Sequence, residues 1–243
     1  MRTLHFAKRC AKEILRDPIN LIFGLGFPIV LLVLLSAIQA NVPVDLFKID
    51  SLAPGITVFG LSFMTLFSAS LIAKDRETSF LARLYTTPLQ AIDYILGYML
   101  PILPIAVAQS ITCYLVAIAI GLKISANLLY ALLMILPISV LYISLGLLCG
   151  SLLNVKQVGG ICGALLTNLS AWLSGVWFDL KLIGGAFEKL ADFLPFVHAV
   201  ELERGMLSGD YSNVIIHLLY VLIYDFIVTV SAVLCFLRQM KRQ

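Results

Sequence analysis

The chain consists of uncharged apolar runs, each about 20 residues or longer, separated by short charged stretches. A helix of that length crosses a hydrocarbon core about 30 Å thick. In hydrocarbon each backbone amide and carbonyl must be satisfied within the protein, so runs of this kind permit helices and little else. A membrane barrel would instead alternate polar and apolar residues along strands of about 10 residues. Hydrophobic residues make up 60% of the chain and charged ones 13%, where a soluble domain carries about 25% charged. The fold class that follows is an all-α integral membrane protein.

The runs predict six transmembrane helices, over 19–40, 52–73, 94–121, 126–150, 158–178 and 212–237. Pro28 predicts a kink in the first, and Pro101 and Pro104 lie near the start of the third. The first run is too long for a signal-peptide core and lacks a small-x-small cleavage site, so it reads as retained. Residues 1–17 precede it. On a helical wheel Leu4, Phe6, Ala7, Cys10, Ala11, Ile14 and Leu15 share one arc, and Arg2, His5, Lys8, Arg9, Lys12, Glu13 and Arg16 the other. That segregation predicts an amphipathic helix lying in the membrane interface, with Lys8, Arg9, Lys12 and Arg16 directed at lipid headgroups. Gly146 and Gly150 end the fourth run, and Gly159 and Gly163 begin the fifth after a short turn. This four-residue spacing of small side chains predicts close antiparallel packing of spans four and five. The segment 179–211 is too polar to span.

The cationic residues set orientation. With the N-terminus in the cytoplasm, 12 of the 17 Lys and Arg residues fall on the cytoplasmic side, a positive-inside bias. Both termini are then cytoplasmic and 179–211 is external. A net charge of +3 gives no electrostatic support for nucleic acid as a partner. The five cysteines show neither a disulfide framework nor metal-ligand spacing.

The stretch 74–88 falls between spans two and three, on the cytoplasmic side. Asp75 and Glu77 stand where a new helix would start, a place that favours carboxylates. Phe80, Leu81, Leu84 and Tyr85 form an apolar patch at helical spacing, and Pro88 ends the helix. A helix this short is marginal alone and requires a surface, either the membrane or another protein.

The run Asp75-Arg76-Glu77, then Leu81, Arg83-Leu84 and Thr87-Pro88, resembles the signature of the membrane subunits of type-2 ABC exporters. The layout is similar over essentially the whole chain. The resemblance implies an interfacial N-terminal helix, six spans, a cytoplasmic coupling helix at 74–88 and an external re-entrant hairpin at 179–211. It assigns ATPase coupling to Asp75, Arg76, Glu77, Leu81, Arg83, Leu84 and Pro88. It also implies a separate ABC ATP-binding subunit and a second permease copy, as a homodimer or a related heterodimer, in the cytoplasmic membrane. The chain departs from the family at Ser79, Phe80 and Ala82, where Gly-Thr and a further Glu are common.

There is no Gly-x-x-x-x-Gly-Lys-Ser/Thr loop, and the cytoplasmic segments are too short to fold as an ATPase. No nucleophile, base or metal constellation stands out either, so the chain reads as a non-catalytic subunit, with ATP and Mg on its partner. A hydrophobic or amphipathic cargo, such as a drug, a lipid-like molecule or an antimicrobial peptide, suits the apolar spans. Asp225 lies deep in the sixth run, two turns after His217. It reads either as a satisfied interhelical hydrogen bond or as a substrate or proton site. A proton-coupled secondary transporter using Asp225 is the alternative function. His198 reads as satisfying a turn, or as contacting substrate on exit. Trp172 and Trp177 read as interfacial anchors.

Overall fold

The computed structural model describes residues 2–42, 47–78 and 91–240, and each regular element among them is helical. The elements are α1 (Arg2–Leu15), α2 (Pro18–Asn41), α3 (Ile49–Glu77), α4 (Ala91–Met99), α5 (Leu103–Ile120) and α6 (Asn127–Leu152). There follow α7 (Val155–Gly160), a π-helical turn (Ile161–Leu166), α8 (Thr167–Leu173), α9 (Leu180–Ile183), α10 (Gly185–Phe193), α11 (Pro195–Ser208) and α12 (Val214–Met240).

Five stretches are long and apolar enough to cross a membrane: α2, α3, α4 with α5, α6 and α12. The break between α4 and α5 falls at Leu100–Ile102, beside Pro101, which has no amide to donate. The fifth expected span forms α7, the π turn and α8 end to end over 155–173, and it stops short of the expected 178.

Helix α3 is the axis of the molecule. Its apolar window is 83% buried, against 22% for α2 and for α12, whose outer faces carry exposed Ile, Leu and Phe. Around it pack α2, α5, α6, α11 and the α7–α8 rod. The glycines pack differently from the sequence expectation. A Cβ on Gly146 would lie 1.8 Å from Ser68 Oγ and 2.3 Å from Thr65 O, and one on Gly150 would lie 2.6 Å from Ala69 O. These glycines therefore bring α6 against α3. Gly159 has nothing within 4 Å, and Gly163 meets only the side chain of Leu66, also on α3. Spans four and five are thus joined mainly through α3. Hydroxyls seal the seam: Thr65 Oγ1 donates to Tyr142 O at 2.7 Å and Ser68 Oγ to Ile143 O at 3.1 Å.

Helix α1 is amphipathic as expected, but most of its apolar face meets protein. Phe6, Ala7, Cys10 and Ile14 are buried, and Phe6 stands edge-on to Tyr94 and Tyr98 of α4. Leu4 and Leu15 at its ends stay exposed. Burial pushes the Cys10 thiol up to about 12, so it packs as a small apolar group. The segment 179–211 folds into α9, α10 and α11, and α11 inserts among α3, α6 and α12.

Candidate functional site

At the end of the bundle where α1 lies, the last turn of α3 gathers the neighbouring helices into a knot. Asp75 is 1% exposed. Arg9 of α1 grips its carboxylate with both terminal nitrogens, Nη2 to Oδ1 at 2.5 Å, and Tyr98 of α4 donates its hydroxyl to Oδ2 at 2.8 Å. A buried carboxylate needs such partners, because removing it from water costs several kcal/mol, on the order of what a well-formed charged pair returns. Arg9 also pairs with Glu13 one turn along α1, at 2.8 Å. A second strap joins α1 to α4, from Thr3 Oγ1 to Asp93 Oδ1 at 2.5 Å.

The next two residues turn the other way. Arg76 donates to Gly150 O at 2.9 Å and to Leu153 O at 3.2 Å, carbonyls at the C-terminus of α6, where a cation is favoured. Glu77 accepts the amide of Val155 at 3.0 Å. Val155 is the first residue of α7, where amides are otherwise unpaired and an anion is favoured. Asn154 completes that helix start with a capping box, exchanging bonds with Gln157. Three consecutive residues of α3 therefore hold α1, α4, α6 and α7.

This corrects two expectations. Asp75 and Glu77 are not at a helix start; they close the C-terminal turn of α3, which runs one turn past the apolar stretch to Glu77. Carboxylates there oppose the dipole of their own helix, and Arg9 and the start of α7 compensate. Arg9 was expected among the headgroup-facing cations, but it turns inward to Asp75. Lys8, Lys12 and Arg16 are exposed. Leu81, Arg83, Leu84 and Pro88 lie outside the described residues.

At the opposite end, α9, α10 and α11 border a vestibule of about 610 Å³ lined by Phe47, Trp177, Phe178, His198, Glu201, Arg204 and His217, among others. Trp177, expected as an interfacial anchor, packs edge-on to Phe59 of α3, while Trp172 is exposed. His198 satisfies a turn, with Nε2 2.8 Å from Asp192 O, and its Nδ1 lies 2.9 Å from Nδ1 of His217. Its ring stacks on Tyr220 with centroids 4.0 Å apart. Arg204 is fixed in the wall by Ser51 O, Glu201 and Gly175 O.

Two carboxyls lie between these ends. Asp225 is 8% exposed and its Oδ1 has no hydrogen-bond partner among the described residues; a bond joining α12 to α6 is made one turn later, between Thr229 and Ser144 at 2.8 Å. The interhelical bond expected of Asp225 therefore belongs to Thr229. Glu203 of α11 is fully buried and accepts the hydroxyl of Tyr114 at 2.5 Å, with Oε2 unpartnered among the described residues. Sequence reasoning passed over Glu203, because it belongs to the polar segment read as external. It passed over Tyr98 and Tyr114 because a tyrosine in an apolar run looks like any other core residue.

No curated protein matches the chain. A family model does, over residues 2–208, which takes in the knot, the seam between α3 and α6 and the buried helix α11. The chain belongs to the ABC-2 type transporter family and is a membrane permease subunit of an ABC transporter.

Proposed function

We propose that the chain is the transmembrane subunit of an ATP-driven exporter in the cytoplasmic membrane, with both termini inside, moving hydrophobic or amphipathic molecules outward. Two copies, or this chain with a related one, enclose the path between their spans. A separate ATP-binding subunit docks on the cytoplasmic stretch 74–88, which includes Leu81, Arg83, Leu84 and Pro88. On this reading the rod over 155–173 also crosses, fifth in chain order, and brings the spans to six, since its residues rise about 28 Å at 1.5 Å each. The segment 179–211 is the external re-entrant hairpin.

The observation that supports it best is the knot at Asp75, Arg76 and Glu77. A push on the chain just beyond Thr78 reaches α3 directly, and through those three residues it reaches α1, α4, α6 and α7 together. Packed helices tied in this way move as a body, which is how contact with a nucleotide-driven subunit is turned into a rearrangement of spans. ATP and Mg act on the partner; this chain supplies the lever. Family membership supports this reading over the alternative of a proton-coupled carrier using Asp225.

The test is the charge reversal Glu77→Lys, which sets a cation against the amides that begin α7. In proteoliposomes holding the complex purified from its native membrane, substrate-stimulated ATP hydrolysis is expected to fall at least fivefold, or the ATPase to be lost during purification. Copurification and stimulation at the wild-type level would refute the coupling role. In vesicles, transport is expected to require ATP; transport driven by a proton gradient alone would restore the Asp225 alternative.

A further inference from the structure

The vestibule bordered by α9, α10 and α11 opens to the surface, and carboxylates outnumber cations along its lining. A second cavity, of about 290 Å³, adjoins the first through Ser51, Glu201, Arg204 and His217, which line both. The lining of the larger cavity includes three aromatic side chains, Phe47, Trp177 and Phe178. The carboxylates are Asp179, Glu188, Asp192 and Glu201 in the larger cavity, with Asp50 and Asp210 in the smaller. Against them stand Lys181 and Arg204; Arg204 bonds Ser51 O at 3.2 Å, Gly175 O at 3.0 Å and one oxygen of Glu201, Oε1, at 2.8 Å, so it offsets Glu201 in part and leaves the carboxylates in excess.

The histidine pair adds an acceptor where the two cavities meet. A carbonyl oxygen only accepts, so the contact of His198 Nε2 with Asp192 O places a hydrogen on Nε2. Where both rings are neutral, His198 presents a bare Nδ1 and the hydrogen between the rings belongs to His217 Nδ1. That tautomer leaves His217 Nε2 as a lone pair, on a residue that lines both cavities. The polar lining thus offers acceptors and negative charge, while the aromatic side chains offer ring faces and apolar area, which also attract cations.

We propose that this vestibule binds amphipathic cations, molecules with an apolar or aromatic body and a protonated amine. The amine faces Glu201, Asp192 and His217 Nε2, and the body lies along Trp177 and Phe178. Neutral and anionic amphipaths of the same size are discriminated against, because they leave the acceptor wall unpaired or repelled. As the cargo class of an exporter the inference rests on the reading above; as a binding site it stands alone.

Trp177 is both lining and reporter. In a Trp172→Phe background it is the sole tryptophan. Its fluorescence is titrated with 4-phenylbutylammonium and with neutral 4-phenylbutanol, in nanodiscs of zwitterionic lipid without ATP. The amine is expected to bind saturably and at least tenfold more tightly than the alcohol. Glu201→Gln and Asp192→Asn are each expected to weaken the amine at least fivefold and to leave the alcohol within twofold. Equal affinity for amine and alcohol, no saturable response, or an unchanged amine affinity in both variants overturns the proposal. The assay uses no nucleotide, so saturable amine binding without ATP-driven transport would refute the exporter reading alone. ATP-driven transport without amine preference would refute this proposal alone.

Discussion

The carboxyl of Glu203 lies fully buried on α11 and, among the described residues, has one hydrogen bond from Tyr114 and no partner at Oε2. Burial pushes it up to about 8, against the downward pull of the Tyr114 hydroxyl, from an ordinary value of 4.5. The folded protein therefore holds a proton there that the unfolded chain releases, and stability falls as pH rises from 4.5 towards 8. The full effect is on the order of 5 kcal/mol as an upper bound. Thermal unfolding in detergent between about pH 5 and pH 8.5 checks it: wild type is expected to lose stability across that window, and Glu203→Gln to lose far less of it. A parallel decline in both proteins would show that another group is responsible. The sequence alone gave no hint of this, since a glutamate in a polar stretch reads as solvated. Asp75 was legible as a residue with a task, but its partners were not, because Arg9 lies 66 positions away.

Helix α3 shows at the scale of elements what pattern reading reaches and what it misses. Its apolar length announced a span, yet the helix continues through charged residues to Glu77, because Asp75, Arg76 and Glu77 each find a protein partner. Small residues four apart announced a close helix contact without naming the partner, since spacing describes one face and not what covers it. The contact is with α3, and it can be tested against a matched control. Gly146→Ala would drive a methyl to within 2.3 Å of the backbone oxygen of Thr65, which cannot step aside as a side-chain end would. A loss of about 2–3 kcal/mol is expected, at the upper end of overpacking. Gly159→Ala meets nothing within 4 Å and gains helix propensity, so it is expected to be neutral or slightly stabilising. Both melting temperatures are measured side by side. If Gly159→Ala proved the more damaging, the α6–α3 seam would be the wrong assignment and the pairing of spans four and five the right one.

For the molecule as a whole, the knot on α3 has to serve both the fold and the coupling, and these two roles predict different things. If Arg9 and Asp75 serve the fold alone, variants that weaken the knot equally should couple equally to the ATPase. If the knot transmits motion, the loss should depend on which helix is released. Asp75→Asn keeps the shape of the side chain but removes the charge that holds α1, and is expected to cost about 1–3 kcal/mol, since Arg9 remains partly solvated. Tyr98→Phe removes one hydrogen bond to the same carboxylate, from α4, at about 1 kcal/mol. Arg76→Gln removes the contact with Gly150 O and Leu153 O and so frees the end of α6. Of the three, Arg76→Gln touches the helix with the longest seam along α3, which also contacts α5, α11 and α12. It is therefore expected to lower stimulated ATP hydrolysis by several fold at a smaller loss of melting temperature than Asp75→Asn. Plotting stimulated hydrolysis against melting temperature for the three variants separates the alternatives. Points on one line would mean that coupling follows stability and the knot is a structural clasp, whereas Arg76→Gln falling well below that line would identify α6 as the helix through which the lever acts.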